Sequence, residues 1–188
     1  NFYVVLSVNP LGKYPYLCNN YNVQYGINGQ FDLEASKLDK YRKANDLERK
    51  IWRFIDESDG GLECLKGKPE EKRLFSAFCS TKGDTTFTIE DAYGATRKFK
   101  LVSNSNDTGT RHILTKHFLG AVGRLEYSDI MFLLEVIKKG KCEPVGENNL
   151  KFTYRCAGSK KAYTLICYIK GAKGGKVMLI KSFYSNKK

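Results

Sequence analysis

The spacing of hydrophobic positions along this 188-residue chain changes near residue 85. Upstream of that point, Leu38, Tyr41, Leu47, Ile51, Trp52, Phe54 and Ile55 recur at helical spacing. They predict a helix capped by Asp32 or Ser36 and stopped at Asp59-Gly-Gly61. A shorter helix is predicted over Pro69–Phe78, where Pro sits near the start and acidic residues fill the first turn. The first thirty residues mix Tyr, Asn, Gly and Pro and predict a loop-rich segment with one strand at Phe2–Val8. Downstream the period becomes two. Thr86-Phe-Thr-Ile-Glu alternates, and Asp91-Ala-Tyr-Gly94 predicts a turn into a strand at Thr96–Val102. Ser103–Gly109 reads as a polar loop. A second strong helix is predicted over Tyr127–Lys139, with Ser128 as cap and Gly140 as stop. Strand-like runs at Leu150–Cys156, Lys161–Lys170 and Lys176–Tyr184 follow, joined by Gly-containing segments of hairpin length.

This order predicts an α+β fold, with helices packed on a C-terminal antiparallel β-sheet of about four strands. Two regions are expected: a mostly helical and loop segment over 1–83 and a strand-rich domain over 84–188. In the run at 161–170, Tyr163, Leu165, Cys167 and Ile169 share one face. In the last run, strict alternation sets Met178, Ile180, Ser182 and Tyr184 against Val177, Leu179, Lys181 and Phe183. That run is apolar on both sides as far as Lys181, which predicts a central, covered strand whose polar end opens a site.

Charge divides the chain along the same line. Residues 1–94 carry 13 Lys and Arg against 14 Asp and Glu, whereas residues 95–188 carry 19 against 6, so the whole excess behind the net charge of +12 lies in the second half. A purely solubilising charge has no reason to spare one half. The asymmetry points to nucleic acid, an anionic membrane surface or an acidic protein as partner. No apolar run approaches the ~18–20 residues of a membrane helix, so no stable membrane insertion is expected. The chain lacks an initiator Met and the basic start of a signal peptide, and reads as a domain cut from a longer protein. Six scattered cysteines form no Cys-x-x-Cys pair. Reduced thiols are favoured over three bridges, and no zinc site or other metal or cofactor is expected.

The candidate chemistry concentrates in Asp107-Thr-Gly-Thr-Arg-His-Ile-Leu-Thr-Lys-His-Phe118, which holds both histidines of the protein. Histidine alone both takes and gives a proton near neutrality without a perturbed pKa. Cleaving RNA without a metal requires a base for the 2′-hydroxyl, an acid for the departing 5′-oxygen and a cation for the charged phosphorus centre. His112 and His117 with Arg111, Lys116 and Lys181 contain those types. Residues five apart lie roughly 140° apart on a regular helix of 3.6 residues per turn. Either one histidine is catalytic and the other structural, or the start of the segment is not helical. Ser182 and Tyr184 at the end of the last strand are further catalytic candidates. Arg155, Tyr168, Lys170 and Lys173 are candidate substrate contacts, the lysines gripping phosphate and the tyrosine stacking on a base.

The segment Thr110-Arg-His-Ile-Leu-Thr-Lys-His117, followed by a helix, antiparallel strands and a final Ile180-Lys-Ser-Phe-Tyr184, resembles the barnase–EndoU–colicin–RelE superfamily of ribonucleases, particularly its phage-associated and toxin branches. The resemblance covers about residues 84–188. It implies a metal-independent endoribonuclease with tRNA as target, and a 2′,3′-cyclic phosphate product is expected because no carboxylate cluster suggests a two-metal hydrolysis. It implies histidine as the principal catalytic type, hence His112 and His117, supported by Lys181, Ser182 and Tyr184. Such domains form the C-terminal warheads of contact-dependent inhibition and other polymorphic toxins. They are secreted or delivered from a producer cell, act in the target-cell cytoplasm and are restrained by a cognate immunity protein, here expected to be acidic. Residues 1–83 then resemble the adaptor segment that carries such toxins into cells. The alternative from the residues alone is a non-catalytic basic module that binds nucleic acid.

Overall fold

The computed structural model describes residues 45–80, 82–103, 105–158, 160–172 and 175–186. The predicted strand at Phe2–Val8, the proposed caps Asp32 and Ser36, and Lys173 lie outside the described residues.

Helix α1 spans Asp46–Asp56 and starts with a reciprocal cap. The Asn45 side chain accepts the Glu48 N–H at 2.9 Å, and the Glu48 carboxylate accepts the Asn45 N–H at 3.0 Å. A short 3₁₀ turn at Gly61–Leu65 leads to α2, which spans Pro69–Phe78 as the sequence predicts. Strands β1 (Asp84–Glu90) and β2 (Thr96–Val102) form the expected hairpin. Its turn is organised by Asp91, a buried carboxylate that accepts from the Tyr93 and Ala95 N–H groups and from Arg97 Nε at 2.7 Å. Helix α3 (Gly109–His112) runs on as a π turn over Ile113–His117. Helices α4 (Tyr127–Met131) and α5 (Leu133–Lys139) replace the single predicted helix, broken at Phe132. Strands β3 (Lys141–Val145), β4 (Asn149–Arg155), β5 (Ala162–Ala172) and β6 (Gly175–Ser185) complete the chain.

The fold is α+β, but the sheet has six strands rather than four, in the order β1-β2-β6-β5-β4-β3. Two differences account for the count: the β1–β2 hairpin joins the C-terminal strands, and β3 forms from Lys-Cys-Glu-Pro-Val, a run without alternation. As an edge strand β3 tolerates Pro144, whose missing N–H would break a central ladder. All strand pairs are antiparallel except β2 and β6, which pair in parallel over only Lys98–Lys100 and Val177–Leu179. Beyond that point β6 runs on and the two strands diverge.

Helices cover one face of the sheet. Phe54 and Phe78 from α1 and α2, Ile130 and Leu133 from α4 and α5, and Phe87, Phe99, Phe152, Leu165 and Phe183 from the strands share one buried cluster. The elements on either side of residue 84 therefore have a common core. The sheet curls around it: Phe99 of β2 and Phe152 of β4 meet with ring centroids 5.8 Å apart, although β6 and β5 lie between their strands. Among the described residues, no helix is long and apolar enough to cross a membrane. Cys79, Cys142, Cys156 and Cys167 are free thiols, and burial pushes Cys79 up to about 12.

Helix α4 is tied to the sheet through Asp129 rather than capped by Ser128. The buried Asp129 carboxylate accepts the Glu126 N–H at 2.8 Å, the Tyr163 hydroxyl at 2.7 Å and Lys161 Nζ at 2.5 Å. Removing a carboxylate that satisfies three donors leaves a lysine and a phenol facing a void. Asp129→Ala is expected to lower stability by about 3 kcal/mol, read as a shift of the urea midpoint at constant slope.

Candidate functional site

Where β2 and β6 part, the segment 109–125 fills the gap. Gly109, at φ +74°, lies so close to the Val102 carbonyl that no side chain fits there, and the Thr110 hydroxyl donates to the same carbonyl at 3.4 Å. This docks the start of α3 on the end of β2. Ile113, Leu114 and Phe118 then point into the core, and Phe118 meets the Phe54 ring edge-on. The π turn closes with the Phe118 N–H donating to Ile113 O, five residues back, at 2.9 Å. A turn of that width sets residues five apart side by side, where a regular helix would separate them. His112 and His117 accordingly meet edge to face, ring centroids 5.4 Å apart. The segment is helical from Gly109 to His117, so its start is not the irregular one the sequence allowed, and both histidines share one face.

A β-bulge completes the site. In the β5–β6 ladder, Cys167 pairs with Ile180 and Ile166 with Ser182, which leaves Lys181 as an extra residue. Past the bulge the faces exchange. Met178, Ile180, Phe183 and Ser185 are buried in the core, and Ser182 and Tyr184 stand on the opposite side with Val177 and Leu179. The strict alternation expected from sequence is thus corrected by one residue. The exchange brings Ser182 Oγ to 3.2 Å from His117 Nε2 and the Tyr184 ring to 5.4 Å from the His117 ring.

Both imidazoles are held by backbone carbonyls. His117 Nδ1 lies 3.2 Å from Val122 O, and His112 Nδ1 lies 3.3 Å from Asn106 O. In the neutral rings Nδ1–H donates to these carbonyls and Nε2 is the acceptor, which on His117 receives the Ser182 hydroxyl. The loop that supplies Val122 O is tightly wound. Leu119 adopts φ +53°, a strained value for a non-glycine residue, and its N–H donates to Leu125 O at 2.8 Å. Gly123, at φ +64°, leaves no room for a side chain: a Cβ would lie 2.9 Å from Tyr184 Cβ and 3.0 Å from His117 Nδ1. The Ser185 N–H donates to Gly123 O at 3.2 Å, which straps the loop to the end of β6. Burial holds the His117 pKa below its usual 6.5, and charge on His112 and Lys116 acts in the same direction against the Val122 hydrogen bond.

The cationic candidates are less concentrated. Arg111 is tethered by Nη1 to Asn106 Oδ1 at 3.3 Å, while its buried Nε has no hydrogen-bond partner among the described residues. Lys116 is exposed on the π turn. Lys181 sits half-buried at the bulge beside Ser182 and makes no ion pair among the described residues. Arg155 at the end of β4, and Tyr168 and Lys170 on β5, are exposed on other strands and do not touch the histidine pair. Among the described residues, no group of three or more His, Cys, Asp and Glu is arranged to hold a metal ion. Sequence reasoning missed Asn106, Val122 and Gly123. The first two act through backbone carbonyls that any residue supplies, and only the paired glycines of Gly120-Ala-Val-Gly123 signal a tight loop.

No family model matches this chain. No curated protein and no solved structure matches it either. The site is therefore read from its own geometry.

An NMR titration of the two imidazoles is expected to place the His117 midpoint below 6.5, with the neutral ring protonated on Nδ1. Gly123→Ala is expected to break the contact with Val122 O, and the His117 Nδ1–H signal should then be lost to exchange with solvent.

Proposed function

We propose that this protein is a metal-independent endoribonuclease that cleaves RNA by transphosphorylation. The observation that carries the reading is the facing pair His112 and His117, each with Nδ1 held by a backbone carbonyl and one with Nε2 on Ser182. His117, which the protein keeps neutral more readily than a free imidazole, serves as the base. Its Nε2 takes the 2′-hydroxyl proton as the 2′-oxygen bonds to phosphorus. His112 in its protonated form gives a proton to the 5′-oxygen as the P–O5′ bond breaks, and a 2′,3′-cyclic phosphate remains. Ser182 and the Tyr184 ring orient His117, and Arg111, Lys116 and Lys181 supply cations around the phosphate.

tRNA as the target follows from the resemblance, as does a toxin role with delivery from a producer cell into the cytoplasm of a target cell. A cognate acidic immunity protein fits the charge asymmetry, since it would cover the basic half.

Incubation with tRNA and rRNA in excess EDTA tests the chemistry. Cleavage is expected to persist in EDTA and to fall by about 10²–10⁴-fold in His112→Ala and in His117→Ala. The acid limb of the kcat/KM profile should lie below 6.5, because activity rises as His117 loses its proton and its pKa is depressed. Salt-sensitive RNA binding without turnover would instead identify a binding module.

A further inference from the structure

The sheet face opposite the helices carries Ser182 and Tyr184 at one end, where the histidine segment packs on them, and continues from there along β6 to Leu179 and Val177. Ladder register shows what it presents. Across β2, β6 and β5, Lys98 is beside Val177 and Val177 beside Lys170, while in the next row on this face Lys100, Leu179 and Tyr168 stand abreast. Lys98, Lys170 and Tyr168 are exposed, the tyrosine at 38%. Lys100 is engaged by Asp84 at 2.6 Å, but Lys98 and Lys170 make no ion pair among the described residues. An exposed aromatic ring thus neighbours Leu179 across the ladder, with Val177 in the next row and, at its edge, two exposed lysines that make no ion pair among the described residues.

Resting on the ribonuclease reading, we propose that this platform binds single-stranded RNA next to the cleaved bond, with a base stacked on Tyr168 and backbone phosphates held by Lys98 and Lys170. Leu179 and Ser182 are three residues apart on β6, roughly 10 Å at ~3.4 Å per residue. The platform therefore lies a short way along the same strand from the histidine pair. Stacking on an aromatic ring tolerates any base, while phosphate contacts add affinity that weakens with salt. A duplex would present its bases edge-on and leave the tyrosine without a partner, so the surface selects unpaired RNA. It follows that the enzyme cuts in loops or single-stranded ends and that sequence is read weakly at this position.

The test is equilibrium binding of a fully 2′-O-methylated single-stranded RNA decamer, which has no 2′-hydroxyl and cannot be cleaved. Tyr168→Ala should weaken binding about ten-fold or more, and Tyr168→Trp should restore it. The Lys98→Gln, Lys170→Gln double variant should flatten the slope of log K against log salt by about 1.4, from two lost contacts at ~0.7 each. A Lys72→Gln, Arg73→Gln double variant on α2, in the helical layer, is the control for net charge. Equal affinity of Tyr168→Ala and wild type would overturn the proposal, as would a double variant no different from the control. Preference for a self-complementary duplex of the same composition would overturn it as well, and so would binding of an acidic protein partner with no RNA binding. Restoring one 2′-hydroxyl in the decamer reports cleavage separately. Loss of the histidine chemistry and loss of the platform are therefore distinguishable.

Discussion

The extra residue at Lys181 decides which way each of the last four residues of β6 faces. Without it, Ser182 and Tyr184 would fall on the core side, and Phe183 would stand in solvent. With it, Phe183 fills the core, stacked 5.8 Å from Tyr163, and the hydroxyl and phenol turn toward His117. A bulge leaves one residue out of the ladder and weakens local pairing. Here the loss falls on the central strand, where the β5 ladder continues on both sides of it and the core residues Ile180 and Phe183 anchor it above and below. The site exists because a well-packed strand tolerates one irregular residue.

The π turn works in the same manner. It widens one turn of the segment by a residue and replaces regular backbone bonding with i to i+5 closure, as from the Phe118 N–H to Ile113 O. Ile113, Leu114 and Phe118 are almost wholly buried around it, and that apolar burial offsets the poorer geometry. The left-handed Leu119 follows directly, because the chain must reverse at once for Leu125 to bond back to His117. Strain in this segment is therefore not scattered. It is confined to the few residues that aim the two imidazoles.

This explains what could be read in the residues and what could not. The helix at Pro69–Phe78 and the first hairpin were legible because Pro, acidic first-turn residues and a four-residue turn act locally. The central place of the last strand was legible from its two-sided apolar run. The sheet's true size was not, since β3 carries a proline and charges that hide an edge strand, and since the parallel pairing of β2 with β6 is purely tertiary. Within the site, the histidine segment stood out by residue type, yet arithmetic on a regular helix separated the two rings. Both departures, the π turn and the bulge, add one residue to a regular repeat, and periodic reasoning has no term for an insertion. The caps illustrate the same point at smaller scale. Asn45-Asp-Leu-Glu48 is a local capping box that the longer run of helical spacing from Leu38 concealed, whereas Asp129 is fixed by Tyr163 and Lys161, more than thirty residues away.

The closeness of the rings has its own electrostatic consequence. With the two imidazoles 5.4 Å apart, charge on His112 opposes protonation of His117. The surrounding groups break the symmetry between them. His117 is the more enclosed, wedged between Tyr184, Gly123 and Ser182, and burial opposes its charged form. His112 lies toward the exposed loop that holds it through Asn106. With His117 biased toward neutrality by its surroundings, the packing favours it as the proton acceptor in the reaction we propose. On that proposal the bias rests on packing, and a change that opened the wall around His117 would weaken it even with both histidines in place.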